Sequence, residues 1–287
     1  ALREEGYNIE SVNKKGYRLA EKPDDILSSE NIAYNLPTEF IGKKVIHLDT
    51  VGSTNDYAKE IGNKVSGGTL IISEQQTKGK GRLGRVWKSK SGDGIWMSLI
   101  IKPKIEPYKA PFLTLVAGAS VVKALSNLDV EASIKWPNDI IVHNKKICGI
   151  LTELSAEMER VNYVVIGIGI NIKTIDFPDE IKEKATSLYK EGYKLSRVDI
   201  VRQFCIEFEK LYKGYILDGN KQDTLELCRK YSAIIGKQVY VIKNNKRELV
   251  KCIDINENGN LIVKEKNGEI QEIMSGEVSI RGVKGYV

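Results

Sequence analysis

An α+β fold with a small β-barrel at its C-terminal end is what this sequence predicts, and three patterns predict it. Apolar runs of strand length recur through the first part of the chain, at 45–49, 68–74, 95–101 and 163–171. Segments with helical spacing, chiefly 111–128 and 197–217, stand between and after them. From Ala233 onward, short strands alternate with Asn/Gly turns, at 236–242, 249–255, 261–263, 270–273 and 276–281, the pattern of a small barrel. With 287 residues the chain has length for about two domains.

Taken in order, residues 2–7 read as the end of a helix closed by Gly6. Two short strands, 8–12 and 17–19, flank the basic turn 13–16. A helix end followed by a basic-tipped hairpin is the tail of a winged helix-turn-helix module, expected here without its leading helices, and too small to build its own core. Residues 21–25 read as a linker. Strand 45–49 runs into Ser53-Thr54-Asn55, where a helix begins, with Tyr57, Ala58 and Ile61 at helical spacing. A hydroxyl there caps orphan N–H groups; the same groups could bind a polar ligand. Helix 111–128 has a broad apolar face and belongs in the core. Strand 131–136 ends at Pro137, which offers no donor to a ladder, so the chain leaves the sheet there. Residues 140–142 and 147–154 form a hairpin whose tip, His143 to Lys146, reads most simply as a solvated turn. Glycines inside strand 163–171 mark close approach of a ligand or tight sheet packing. Ser196 is placed to cap the helix from Arg197, and 224–231 is a further short helix.

Composition narrows the class. Apolar content of 41% and charged content of 29% suit a globular chain with a sizeable core. No apolar run reads as a membrane span and no leader is apparent. Four scattered cysteines without a C-x-x-C pair, and only two histidines, argue against zinc and for a reduced, cytoplasmic setting. A net charge of +6 allows nucleic acid or phosphorylated ligands without demanding either.

The most informative stretch is Gly79-Lys80-Gly81-Arg82-Leu83-Gly84-Arg85-Val86-Trp87. Its glycines let the backbone turn tightly, and Lys80, Arg82 and Arg85 present cations. The reading is a loop for a polyanion, against a plain solvated loop. It also satisfies G-x-G-x-x-G, but a dinucleotide site needs a helix directly afterwards. Here a polar loop and a strand follow, so that reading is rejected.

Five segments carry a family resemblance: Ser53-Thr54-Asn55, the run from Gln76 to Trp87, Lys135-Trp136-Pro137-Asn138-Asp139, Lys146 to Leu151, and Gly167-Ile168-Gly169-Ile170-Asn171. They stand in the order seen in biotin protein ligases, and the chain resembles that family over essentially its whole length. The resemblance implies a central α+β domain of mixed sheet and helices, related to class II aminoacyl-tRNA synthetases, over 25–232. It implies an SH3-like barrel over 233–287 and a winged-helix remnant with linker over 1–24. The hairpin resembles the bifunctional members, which also repress biotin genes.

The implied chemistry is attack of biotin's carboxylate on the α-phosphate of ATP, giving biotinyl-5′-adenylate and pyrophosphate. A lysine of a biotin carboxyl carrier protein, such as that of acetyl-CoA carboxylase, then takes the acyl group. By resemblance, Ser53, Thr54, Asn55, Gln76, Lys80, Gly81, Arg82, Lys146 and Gly149 hold biotin. Lys80, Arg82, Arg85, Trp87, Asn138, Asp139 and Asn171 serve ATP or the adenylate, and Lys146 and Arg82 carry catalysis. Mg²⁺ would accompany ATP, with Asp139 as a candidate neighbour. The family usually has Arg at position 80; Lys80 keeps the charge without the bidentate fork. The resemblance further implies a homodimer with adenylate bound, and operator DNA as a partner only where the DNA-binding domain is whole. The rivals are a lipoate or octanoate ligase of the same fold, and a regulator that senses biotin without catalysis.

Overall fold

The computed structural model describes residues 8–21, 25–243, 246–275, 279–283 and 285–287. Strands β1 (Asn8–Val12) and β2 (Gly16–Glu21) pair as the expected antiparallel hairpin. The helix end read at 2–7, residues 22–24 of the linker and residues 276–278 of the last strand lie outside the described residues.

A seven-stranded mixed sheet organises the centre. After the short helix α1 (Ser29–Ala33) come β3 (Val45–Val51), α2 (Thr54–Ile61), β4 (Thr69–Gln76) and β5 (Gly94–Ile101). Next are α3 (Phe112–Ser126), β6 (Ser133–Lys135), β7 (Asp139–Val142), β8 (Lys145–Ala156) and β9 (Val161–Asn171). Their spatial order is β3-β4-β5-β9-β8-β7-β6, with β3 and β4 parallel across α2 and every other neighbour antiparallel. The stretch after β4 holds only a single 3₁₀ turn, Arg82–Gly84, before β5, as rejection of the dinucleotide motif requires.

The alternation of strands decides the layers. On β9, Val164 and Ile166 enter the main core with Leu70, Ile72 and Leu99. Val165, with Ile71 and Ile100, packs on the other face against Ala58 of α2. The main core is covered by α3 and by α4 (Arg197–Ile216), with α5 (Gln222–Lys230) beside them. Residues 107–126 are long and apolar enough to cross a membrane by composition, contrary to the sequence reading. They are mostly buried all the same, because α3 is the helix on which the core is built. The Ser196 hydroxyl caps α4 by accepting from the Asp199 N–H, as expected.

Strands β10 (Gln238–Lys243), β11 (Lys246–Ile255), β12 (Leu261–Lys264), β13 (Ile270–Ile273) and β14 (Ser279–Gly282) form a wholly antiparallel unit in the order β13-β12-β11-β10-β14. This is the expected all-β C-terminal part. Among the described residues its edges, β13 and β14, do not pair with each other.

A charge cluster around the buried Arg197 ties the start of the central unit to the sheet. The Arg197 guanidinium donates to Glu74 Oε2 at 2.7 Å and to Asp25 Oδ2 at 3.1 Å, and its backbone N–H donates to Asp25 Oδ1 at 2.7 Å. His47 lies 3.8 Å from Glu74, too long for a hydrogen bond. Burial alone would raise the Glu74 carboxyl; His47 and Arg197 outweigh it and hold the carboxyl down at about 2. A folded-state value below the unfolded one stabilises above the unfolded pKa, near 4.5, and the gain is lost as pH falls toward 2. We expect Glu74→Gln to cost up to about 3 kcal/mol at pH 7 and less than half of that at pH 3, read as the gap between urea midpoints.

Candidate active site

The site lies where the sheet face that carries α2 is no longer covered by it. On β5, β9 and β8 the residues facing that side align across the ladder: Ser98, Gly167 and Leu151 in one row, Trp96, Gly169 and Gly149 in the next. Glycines leave room for side chains from above. A Cβ on Gly167 would stand 2.2 Å from Asn55 Oδ1, and one on Gly169 would stand 2.6 Å from Trp87 Nε1. The glycines in this strand therefore mark close approach of side chains over the sheet.

One edge is a polar network anchored on the N-terminus of α2. The Ser53 hydroxyl accepts from the Asp56 N–H at 3.4 Å, so its capping role holds. Gln76 Oε1 accepts from the Thr54 N–H at 2.8 Å and from the Thr54 hydroxyl at 3.1 Å, while Gln76 Nε2 donates to the Ser89 hydroxyl. Asn55 Nδ2 donates to Glu153 Oε2 at 2.8 Å. The Ser98 hydroxyl lies 2.6 Å from Asn55 Oδ1 and 2.7 Å from Thr54 Oγ1, and its one proton serves one of them at a time. Ser53, Thr54, Asn55, Ser89 and Ser98 are buried, Gln76 and Glu153 partly so, and the tight partnering presets their donor and acceptor positions.

The opposite edge is cationic. Residues 79–87 fold back as a narrow hairpin, with Gly81 N–H donating to the Arg85 carbonyl and Trp87 N–H to the Gly79 carbonyl. This fold-back places Lys80 2.6 Å from Asp56 and aims Arg82 at Asn138 Oδ1 (2.8 Å) and the Ser275 carbonyl (2.5 Å). Trp87 lies over Gly149 and Gly169, its Nε1 buried without a hydrogen-bond partner among the described residues. Lys146 stands 5.1 Å from the indole centroid and 2.5 Å from Asp139 Oδ1. That last contact is an ion pair without hydrogen-bond alignment. The sequence reading of 143–146 as a solvated tip fits the exposed His143 but not Lys146, which turns inward.

Asp139 sits behind Lys146. Burial would raise its carboxyl, but Lys146, Tyr286 and Lys135 keep it below the usual range. Lys135 is 2% exposed, and burial drives its ammonium down to about 7 against the pull of Asp139.

The cavity left between these edges is small, about 50 Å³. Its walls include Ser53, Thr54, Asn55, Gln76, Lys80, Gly81, Arg82, Trp87, Asn138, Lys146 and Gly149, all named from the sequence. Three named residues do not line it. Arg85 is exposed at the end of the loop. Asn171 is spent on the Thr186 carbonyl at 3.1 Å. Asp139 has one oxygen on Lys146 and accepts from the Tyr286 hydroxyl at the other. A metal beside Asp139 therefore does not fit. No set of three carboxylate, His or Cys side chains suited to a metal exists among the described residues.

Sequence reasoning missed Ser98, Glu153, Asp56 and Tyr286. The first three were within reach of strand parity or adjacency to a motif; nothing local singles out Tyr286. We expect Gly167→Ala to push the Asn55 amide out of its network and weaken ligand binding by 100-fold or more, measured by calorimetry, with the fold retained.

Comparison with known proteins supports the same reading. The profile of the biotin/lipoate A/B protein ligase family matches residues 48–171, and that of the biotin protein ligase C-terminal domain matches 234–281. The bifunctional ligase/repressor BirA of Bacillus subtilis is 41% identical, covering 97% of this chain and 86% of that protein. BirA of Escherichia coli is 28% identical, covering 99% and 87%. A biotin protein ligase from Aquifex aeolicus, solved with biotin and ATP, superposes with a TM-score of 0.73 at 32% identity, covering 84% of this chain and 99% of that one. The chain belongs to the biotin/lipoate A/B protein ligase family, on its biotin protein ligase branch.

Proposed function

We propose that this cavity joins biotin to AMP from ATP and hands the biotinyl group to a lysine of a biotin carboxyl carrier protein. One observation carries the residue-level reading: a preset amide and hydroxyl network on one edge faces an inward-turned lysine and a glycine-loop arginine on the other. The amides of Asn55 and Gln76 and the hydroxyl of Thr54 offer donors and acceptors to a ureido group. Lys146 and Arg82 offset the repulsion between a carboxylate and a triphosphate, and Lys80 adds charge from the same loop. Lys146 then follows the charge onto the α-phosphate oxygens. Mg²⁺ enters with ATP as part of the substrate; the partnered oxygens of Asp139 leave it no first-sphere role.

About 50 Å³ is room for little more than a water, while ligand pockets run to roughly 300–1,000 Å³. Trp87 must leave Gly149 and Gly169 to admit biotin, and it then covers the adenine. Trp96 and Trp136 are 1% exposed, with their indole N–H groups bound to carbonyls. Biotin should therefore change the tryptophan emission, and Trp87→Phe should abolish the change.

ATP–pyrophosphate exchange with purified protein, biotin against lipoate, tests the reaction. Exchange with biotin alone is the expected result. Exchange with lipoate alone would assign the other branch of the family, and tight biotin binding without exchange would make the protein a sensor. The homodimer belongs to the same proposal: the adenylate orders the glycine loop and favours association, so an unchanged monomer fraction on sedimentation with adenylate would remove it. A cytoplasmic setting follows from the acceptor. The exposed Lys14 and Lys15 at the tip of β1–β2 suit a wing on DNA, and repression belongs to the same proposal.

A further inference from the structure

Tyr286 lies in the C-terminal β unit, far in sequence from every motif, yet it is 8% exposed and reaches under the active site. Its hydroxyl donates to Asp139 Oδ2. Its carbonyl accepts from Lys135 Nζ at 2.6 Å, and its ring lies 3.3 Å from the same ammonium. The other oxygen of Asp139 faces Lys146 at 2.5 Å. A hydrogen bond at one oxygen restricts rotation of the carboxylate and so favours one direction for the second. Without it, the carboxylate has more freedom to turn and the Lys146 ammonium is less closely directed.

We propose that Tyr286 is a positioning residue for adenylation: it fixes the Asp139 carboxylate, which aims Lys146 at the reacting phosphate. The C-terminal unit thereby completes the active site through one side chain rather than merely packing against it. The Ser275 carbonyl, from the same unit, holds Arg82. Both cations assigned to the chemistry thus take their direction from C-terminal groups. This rests on the biotin-ligase reading of the site.

Tyr286→Phe is the decisive variant, because the ring stays over Lys135 and only the hydroxyl is lost. Exchange by the wild type with biotin is measured first; if it is absent, the biotin reading fails. Given wild-type activity, single-turnover adenylate formation should slow about tenfold in Y286F, with biotin affinity within twofold of wild type. In an Asp139→Asn background, Tyr286→Phe should add nothing further, because residues acting through one another are not additive. Wild-type rates in Y286F, or full additivity with D139N, would overturn the inference. A lowered melting temperature with unchanged single-turnover rate would likewise reduce the contact to packing. Should Y286F melt too early to assay under standard conditions, the same cycle run well below its melting temperature keeps the same expected and overturning outcomes.

Discussion

Lys146→Met should slow biotinyl-adenylate formation by about 10²–10³-fold while biotin affinity falls less than tenfold. The reason is that charge accumulates on the phosphate oxygens only as the carboxylate attacks. A preorganised donor at that place is worth about 3–4 kcal/mol in activation. Lys146 is well built for the task. It is only partly exposed, and its partner Asp139 keeps it in the cavity. Removal also leaves the Asp139 carboxylate with Tyr286 and Lys135 alone, so some loss of stability accompanies the loss of rate. Lys146→Arg separates the two effects, since it keeps the charge and changes the reach. It should melt near wild type and recover part of the rate. A single-turnover rate for Lys146→Met within fivefold of wild type would remove Lys146 from the chemistry.

Arg82→Met should release the adenylate about 100-fold faster or more, with a smaller effect on binding of biotin itself. Arg82 is half-buried and points across the cavity rim, and its two terminal nitrogens already hold Asn138 and the Ser275 carbonyl. A guanidinium so placed gives charge-assisted bonds of roughly 1.5–3 kcal/mol each to a phosphate. Two such bonds correspond to at least a hundredfold in residence time. Lys80, tied to Asp56 at the other side of the loop, cannot take its place without breaking that ion pair. Trapping released adenylate with hydroxylamine measures the rate directly; unchanged release would restrict Arg82 to holding the loop.

Much of this was legible because it is local. The cap at Ser53 needs only a hydroxyl three residues before a free N–H, and the structure shows that bond. The strands, the two long helices and the all-β end follow from periods of two and of 3.6. The inward turn of Lys146 was legible only through the family resemblance, not from its place in the hairpin. Two lysines at a hairpin tip look alike, and only the irregular register between Ile140 and Ile141 and the position of Asp139 turn one of them inward. Asn171, which the resemblance assigned to the adenylate, does not line this cavity: its amide donates to the Thr186 carbonyl of a loop whose course no motif records.

By itself the sequence determined the family, the order of elements and most of the cavity wall, since each of these rests on residue type at short spacing. The tertiary structure decided which charges meet. Asp139 with Lys146, Tyr286 with Asp139, Arg82 with Ser275 and Arg197 with Asp25 and Glu74 are contacts between chain segments that carry no mutual signal in one sequence. Electrostatic energy depends on distance and burial, and both exist only once the sheet has closed and the C-terminal unit has docked beneath it.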